Sequence, residues 1–266
     1  MKKRPIIAII TCLLAGCPSD KNTHYSTLTS EHSKEKINKI IEHEVKPNTH
    51  LNSGDLIDRV SAPFLGTPYL ANTLVGGPDQ QEILVINLDA VDCFTYLDYV
   101  VALTKSHDES SFEHALINVR YKNSDVTYYN RKHFFTDWYA SSPQNAVDIT
   151  STLSSDAITV EKVLNQKEDG SEYIKGLGAI PRTITYIPGQ AIHQQLLDNL
   201  RNGDLIGIYS PISGLDVSHT GIVIKKNRQV FYRNASSLAK NNQVVDTPFL
   251  EYMKSKPGIV VLRVMN

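Results

Sequence analysis

Along the chain, apolar residues first recur at helical spacing between Ser33 and Val45, where Ile37, Ile40, Ile41 and Val45 share one face of a short amphipathic helix. The surrounding stretch, 18–50, is polar and rich in Ser, Thr, Asn, Lys and His, and reads as a spacer carrying one peripheral helix. From Leu51 the pattern is that of a folded domain. Ser53-Gly54-Asp55 cap a helix bearing Leu56, Ile57 and Val60, and the glycine and proline of Phe64-Leu65-Gly66-Thr67-Pro68-Tyr69 turn the chain. A strand is expected from Ile83 to Leu88. A helix follows from Cys93 to Leu103, with Leu97, Val100 and Val101 in phase and Phe94, Tyr96 and Tyr99 between them. Arg120 to Tyr129 has the form of a hairpin around Asn123-Ser124-Asp125. Thr183 to Ile187 alternates as a strand, and Ile192 to Leu200 forms a helix closed by Asn202-Gly203. Strands at Asp204–Tyr209, Thr220–Lys225 and Val230–Asn234 then succeed one another, and Ile259–Val264 ends the domain. Helices first and strands second describe an α+β fold with an antiparallel sheet.

The amino terminus is of another kind. Lys2, Lys3 and Arg4 precede an apolar stretch from Pro5 to Gly16 that is too short to cross a bilayer, the form of a secretory signal. Its end, Leu14-Ala15-Gly16-Cys17, resembles the bacterial lipoprotein signal, which implies cleavage before Cys17 and a lipid on its thiol. Pro18 stands where an inner-membrane retention signal would carry aspartate, so the expected location is the periplasmic side of the outer membrane. The expected organisation is a signal at 1–16, a lipid-anchored spacer at 17–50 and one domain at 51–266.

Composition narrows the chemistry. The 27 basic and 28 acidic side chains nearly cancel, which excludes the strongly basic surface of a nucleic-acid protein. Three cysteines are too few for a disulfide scaffold. Cys12 is discarded with the signal and Cys17 is spent on lipid, so Cys93 is the mature chain's single free thiol. The early histidines (His24, His32, His43, His50) lack a ligand pair at metal spacing, and neither metal nor cofactor is expected.

Cys93 opens a helix, where unpaired N–H groups and the helix dipole favour an anion by about 0.3–1 kcal/mol. That lowers a thiol pKa by roughly one unit or less, so a histidine partner is required to bring the thiolate population near unity. Asp92 opposes the thiolate if it points inward; its expected role is to cap the helix or orient a substrate amine. His107 and His114 read as surface groups of a polar loop. His219, in Ser218-His219-Thr220-Gly221, begins a strand beside the open loop Ser213-Gly214-Leu215-Asp216. One strand later Asn234 can accept the imidazole N–H and select its tautomer. Tyr128, Tyr129, Arg131, His133, Trp138 and Tyr139 crowd together. Of these Arg131, His133 and Trp138 are the candidates for binding substrate, through carboxylate pairing and stacking on a sugar.

The order Cys…His…Asn, with the cysteine at a helix start, resembles the NlpC-type cell-wall cysteine peptidases and amidases. The chain is most similar there to the N-acetylmuramoyl-L-alanine amidase-like family. The segments that carry the resemblance are Phe64-Leu65-Gly66-Thr67-Pro68-Tyr69, Asn87-Leu88-Asp89-Ala90-Val91-Asp92-Cys93-Phe94-Thr95, Arg131-Lys132-His133-Phe134-Phe135-Thr136-Asp137-Trp138, Ile180-Pro181-Arg182, Asn202-Gly203-Asp204 and Ser218-His219-Thr220-Gly221. The resemblance implies a papain-like core in which the nucleophile helix packs on the antiparallel sheet, with extra helices and a family-specific subdomain. It implies a peptidoglycan or muropeptide substrate cut between N-acetylmuramic acid and L-alanine. Cys93 would be the nucleophile, His219 the base and Asn234 its orienter, with the Cys93 N–H and Tyr69 at the oxyanion. Relatives more often carry histidine where Asn234 stands. A γ-D-glutamyl endopeptidase, an acyltransferase or a non-catalytic peptidoglycan-binding lipoprotein are the alternatives; a zinc amidase is disfavoured because no His-x-x-Glu-His pairing occurs.

Overall fold

A computed structural model describes residues 25–265. The signal segment and Cys17 lie outside them. The domain begins well before Leu51. Strand β1 (Ser26–Thr29) and helix α1 (Glu31–Ile40) are followed by a π-helical turn at Ile41–Val45 and by α2 (Ser53–Ser61). Next come β2 (Val75–Gly77), β3 (Gln80–Ile86), α3 (Cys93–Thr104) and α4 (Glu109–Arg120). The short elements α5 (Asp137–Ala140), β4 (Ala146–Asp148) and α6 (Thr150–Leu153) lead into β5 (Ile158–Leu164) and β6 (Ile180–Pro188). The remainder is α7 (Gln194–Asn199), β7 (Leu205–Tyr209), β8 (Val217–Lys226), β9 (Gln229–Ala235), β10 (Val244–Pro248), α8 (Phe249–Lys254) and β11 (Gly258–Val264).

The large sheet runs β10-β9-β8-β7-β11-β6-β5, with β4 paired to β11, and every pairing in it is antiparallel. Successive residues of a strand face opposite sides. Ile222 and Ile224 therefore join the core beneath the helices, while Val223 joins a smaller core under α7 and α8. A second, three-stranded sheet sets β1 parallel to β3 and β2 antiparallel to it.

Helix α3 is the hub. Tyr96, Leu97, Val100, Val101 and Leu103 are each 0% exposed, so it is apolar all round and sheathed by other elements. Its one charge in the core, Asp98, is paired by Arg120 Nε of α4 at 2.8 Å.

Two expectations are corrected. Residues 26–48 are no spacer: β1 hydrogen-bonds to β3, and Ile37, Ile40, Ile41 and Val45 lie in the same core cluster as α3. Arg120 to Tyr129 is no hairpin, because α4 runs to Arg120 and two 3₁₀ turns follow at Lys122–Ser124 and Tyr128–Asn130. His114 accordingly sits on a helix.

Candidate active site

Asp92 ends the loop after β3 in extended backbone, and its Oδ1 accepts from Phe94 N (3.0 Å) and Thr95 N (2.7 Å). Thr95 Oγ1 accepts in return from Asp92 N at 3.0 Å, which completes a capping box. Helix α3 thus starts at Cys93, and the Cys93 N–H is among the amides that an α-helix leaves unpaired at its start. The turn ending in Tyr69 is stitched to the same place. Val91 N donates to Pro68 O and Leu70 N to Val91 O, each at 3.0 Å, while Tyr69 N donates to Asn242 O. Burial, with the charges of Cys93 and Asp92 acting in the same direction, raises the Tyr69 pKa and keeps its hydroxyl neutral.

From the sheet, β8 brings Thr220 and His219 up to the helix start. Thr220 Oγ1 donates to Cys93 O at 2.8 Å and ties strand to helix. His219 Nε2 and Asn234 Oδ1 lie 2.9 Å apart. The register accounts for this contact: Ile222 pairs with Arg233, and His219 and Asn234 are each an odd number of steps away, so both side chains leave the sheet on the face opposite that pair. Asn234 is 2% exposed, and its Nδ2 donates to Tyr232 O (3.1 Å) and Thr247 Oγ1 (3.3 Å). With the amide so oriented, Oδ1 can only accept, His219 Nε2 carries the proton, and Nδ1 is left as a lone pair.

Cys93 and His219 line one cleft of about 170 Å³, with His133, Phe94, Tyr173 and Leu215 among its walls. Burial, reinforced by the Asp92 carboxylate, pushes the Cys93 thiol up to about 11, while the Thr220 N–H and hydroxyl pull it down more weakly. Burial also lowers the His219 pKa; Lys256 acts in the same direction, and the Asn234 hydrogen bond and Asp92 oppose it. The unliganded pair is therefore a neutral thiol and a neutral imidazole. Desolvation outweighs the modest contribution of the helix dipole, and the thiolate expected from a histidine partner is not the resting form.

The aromatic cluster divides. His133 lines the cleft; its Nε2 bonds to Tyr128 O at 2.8 Å, and burial lowers its pKa to about 4. Arg131 is not among the residues lining the cleft: its Nε and Nη2 donate to the two carboxylate oxygens of Glu82, each at 2.7 Å, and the group lies over the Tyr128 ring. Trp138 is 0% exposed and packs edge-on against Phe94, so it supports the cleft wall from behind and offers no face to a sugar. Asp92 spends Oδ1 on the cap. Among the described residues no three His, Cys, Asp or Glu converge as a metal-ligand set.

Three contributors carried no chemical signal of their own. Thr220 reads as an ordinary strand residue, Tyr173 as loop and Lys256 as a surface lysine; only the pairing of distant segments brings the first two to the cleft and Lys256 to the hollow beside it.

A family model described as N-acetylmuramoyl-L-alanine amidase-like matches residues 59–259. A solved Legionella pneumophila protein superposes with a TM-score of 0.74 over 89% of this chain and 95% of its own, at 24% identity, a likeness of fold alone. A structure of an N-acetylmuramoyl-L-alanine amidase from Bacteroides uniformis aligns at TM-score 0.67 and 27% identity, covering 77% of this chain and 97% of that one. Another of the same description and organism gives TM-score 0.65 and 26% identity, covering 86% and 100%. No protein with a curated description matches.

Proposed function

This chain belongs to the N-acetylmuramoyl-L-alanine amidase-like family, and we propose that it hydrolyses the amide between the lactyl group of N-acetylmuramic acid and L-alanine through an acyl-enzyme on Cys93. The observation that carries this reading is the 2.9 Å hydrogen bond between His219 Nε2 and Asn234 Oδ1, in a cleft shared with a cysteine at a helix start. The helix that begins at Cys93, set against an antiparallel sheet, supports a papain-like, NlpC-type core. The lipid on Cys17 holds the enzyme at the periplasmic face of the outer membrane, beside its polymer.

In the first step the Cys93 sulfur bonds to the lactyl carbonyl carbon, and the thiol proton passes to His219 Nδ1. Charge collecting on the carbonyl oxygen is met by the Cys93 N–H and the Tyr69 hydroxyl, each donor contributing about 3–4 kcal/mol in sites of this type. The C–N bond then breaks, the imidazolium returns its proton to the departing nitrogen, and the stem peptide leaves as a free amine. Water attacks the thioester with His219 again taking the proton, which releases the muramic acid carboxylate and restores the thiol. Asn234 keeps the imidazole in the one tautomer that can serve both steps.

Digestion of a defined muropeptide followed by mass spectrometry tests the choice of bond. Intact stem peptide beginning at L-alanine, plus the amino sugar with a free lactyl carboxylate, is the expected pair of products. Scission inside the stem, with sugar and L-alanine still joined, would overturn it.

A further inference from the structure

The Cys93 cleft shares wall residues with two further hollows. Ser218 and His219 form its wall with one neighbour, a hollow of about 200 Å³ bounded by Ser236, Leu238, Tyr252 and Lys256. Tyr173 forms its wall with the other, of about 600 Å³, which also carries Lys167, Glu168, Asp169 and Ile212. The two flanks differ in charge. Among the described residues that line the hollow on the His219 side, the ionisable groups are His219, Tyr252 and Lys256, and among the described residues no carboxylate forms an ion pair with Lys256. Its Nζ lies 4.2 Å from the centroid of the Tyr252 ring, and that ring stacks on Tyr232, whose own ring meets His219 edge-on. The backbone beneath it is held as well. Lys256 N donates to Met253 O at 3.0 Å, and Gly189 packs so closely that a Cβ there would lie 2.0 Å from Lys256 O. The far flank sets two carboxylates against one ammonium.

The chemistry assigns the flanks. An imidazole that protonates the leaving amine must have the amine-bearing half of the substrate beside it. The released half of a muropeptide is a peptide with free carboxylates, and the retained half is an uncharged sugar ring. We infer that Lys256 and the hollow it closes recognise a carboxylate of the leaving peptide, while the Tyr173–Ile212 flank takes the sugar. This rests on the amidase reading above and adds to it a residue that selects acidic stems over amidated ones.

The test compares N-acetylmuramoyl-L-alanyl-D-glutamate with its D-isoglutamine counterpart, which replaces one carboxylate by a carboxamide. For the wild-type protein kcat/KM should favour the carboxylate by about tenfold, the scale of one charge-assisted hydrogen bond. In Lys256→Gln the ratio should fall to about one, in Lys256→Glu it should invert, and Lys256→Arg should keep it. The ratio compares two substrates on one preparation and so does not depend on how much of a variant is folded. Equal rates in the wild type, or a preference that survives Lys256→Gln, would overturn the assignment while leaving the amidase reading standing. If neither compound releases its peptide, the amidase reading falls and takes this one with it.

Discussion

Burial acts on Cys93 and His219, the two side chains proposed to react, in the direction that removes charge. The thiol is driven up to about 11 and the imidazole is held below its ordinary range of about 6.5, so the proton rests on sulfur until substrate arrives. The neutral imidazole is the form that can accept a proton, and a depressed pKa keeps it neutral as the pH falls. kcat/KM should thus hold from pH 8 down through about 6.5 and decline only in more acidic buffer. Asn234→Asp sets a carboxylate where an amide oxygen now stands 2.9 Å from the ring. A charge at that distance raises the histidine pKa, so the acid limb should move up by about one to three units. A pH series on the two proteins checks this, and an unmoved limb would remove His219 from the role of base. At this scale the sequence was legible where chemistry selects a residue type and silent where packing decides. Cys93 could be singled out as a lone thiol at a helix start. Nothing in Arg131 or Trp138 shows that one is matched to Glu82 by a distant strand, or that the other is enclosed on every side.

Among the elements, α3 was readable because its cap and its apolar run agree. Asp92 serves that element and the site together, and the two services can be separated. Asn is as good a cap as Asp, so Asp92→Asn should keep the melting temperature close to wild type. It removes a negative charge that helps hold the thiol protonated, so alkylation of Cys93 by iodoacetamide at fixed pH should speed up several-fold. Asp92→Ala loses the acceptor for two backbone N–H groups and should cost about 1 kcal/mol, seen as a lower melting temperature. Slower alkylation in Asp92→Asn would contradict this electrostatic account. Helix α4 was missed although Asp108 and Ser111 form a capping box. Serines, a histidine and glutamates between its apolar residues gave it the composition of a loop, although Phe112, Ala115, Leu116 and Val119 recur at helical spacing and are buried. Strand β10 was missed for a related reason. It is short, lies at the end of the sheet and alternates weakly, yet it supplies Thr247 to fix the Asn234 amide.

For the whole molecule, the largest misreading was where the domain begins. A polar composition suited a spacer, and Ile37, Ile40, Ile41 and Val45 could as well have faced solvent at the periphery. They lie instead in the core that holds α3, and β1 pairs with the strand that leads into the loop before Cys93. The amino-terminal segment therefore helps position Cys93, by long-range pairing that local pattern does not reveal. The same is true of the cleft, whose proposed reacting groups come from positions 93 and 219 and line it together because β8 packs on α3. If those two groups act as one unit, removing either should remove the chemistry. Cys93→Ala, His219→Ala and the double variant, assayed on one defined muropeptide, are the most direct test. Each single change should lower kcat by at least about 10³, and the double change should lie close to either single one. Hydrolysis retained in Cys93→Ala, or losses that multiply in the double variant, would contradict a shared acyl-transfer mechanism.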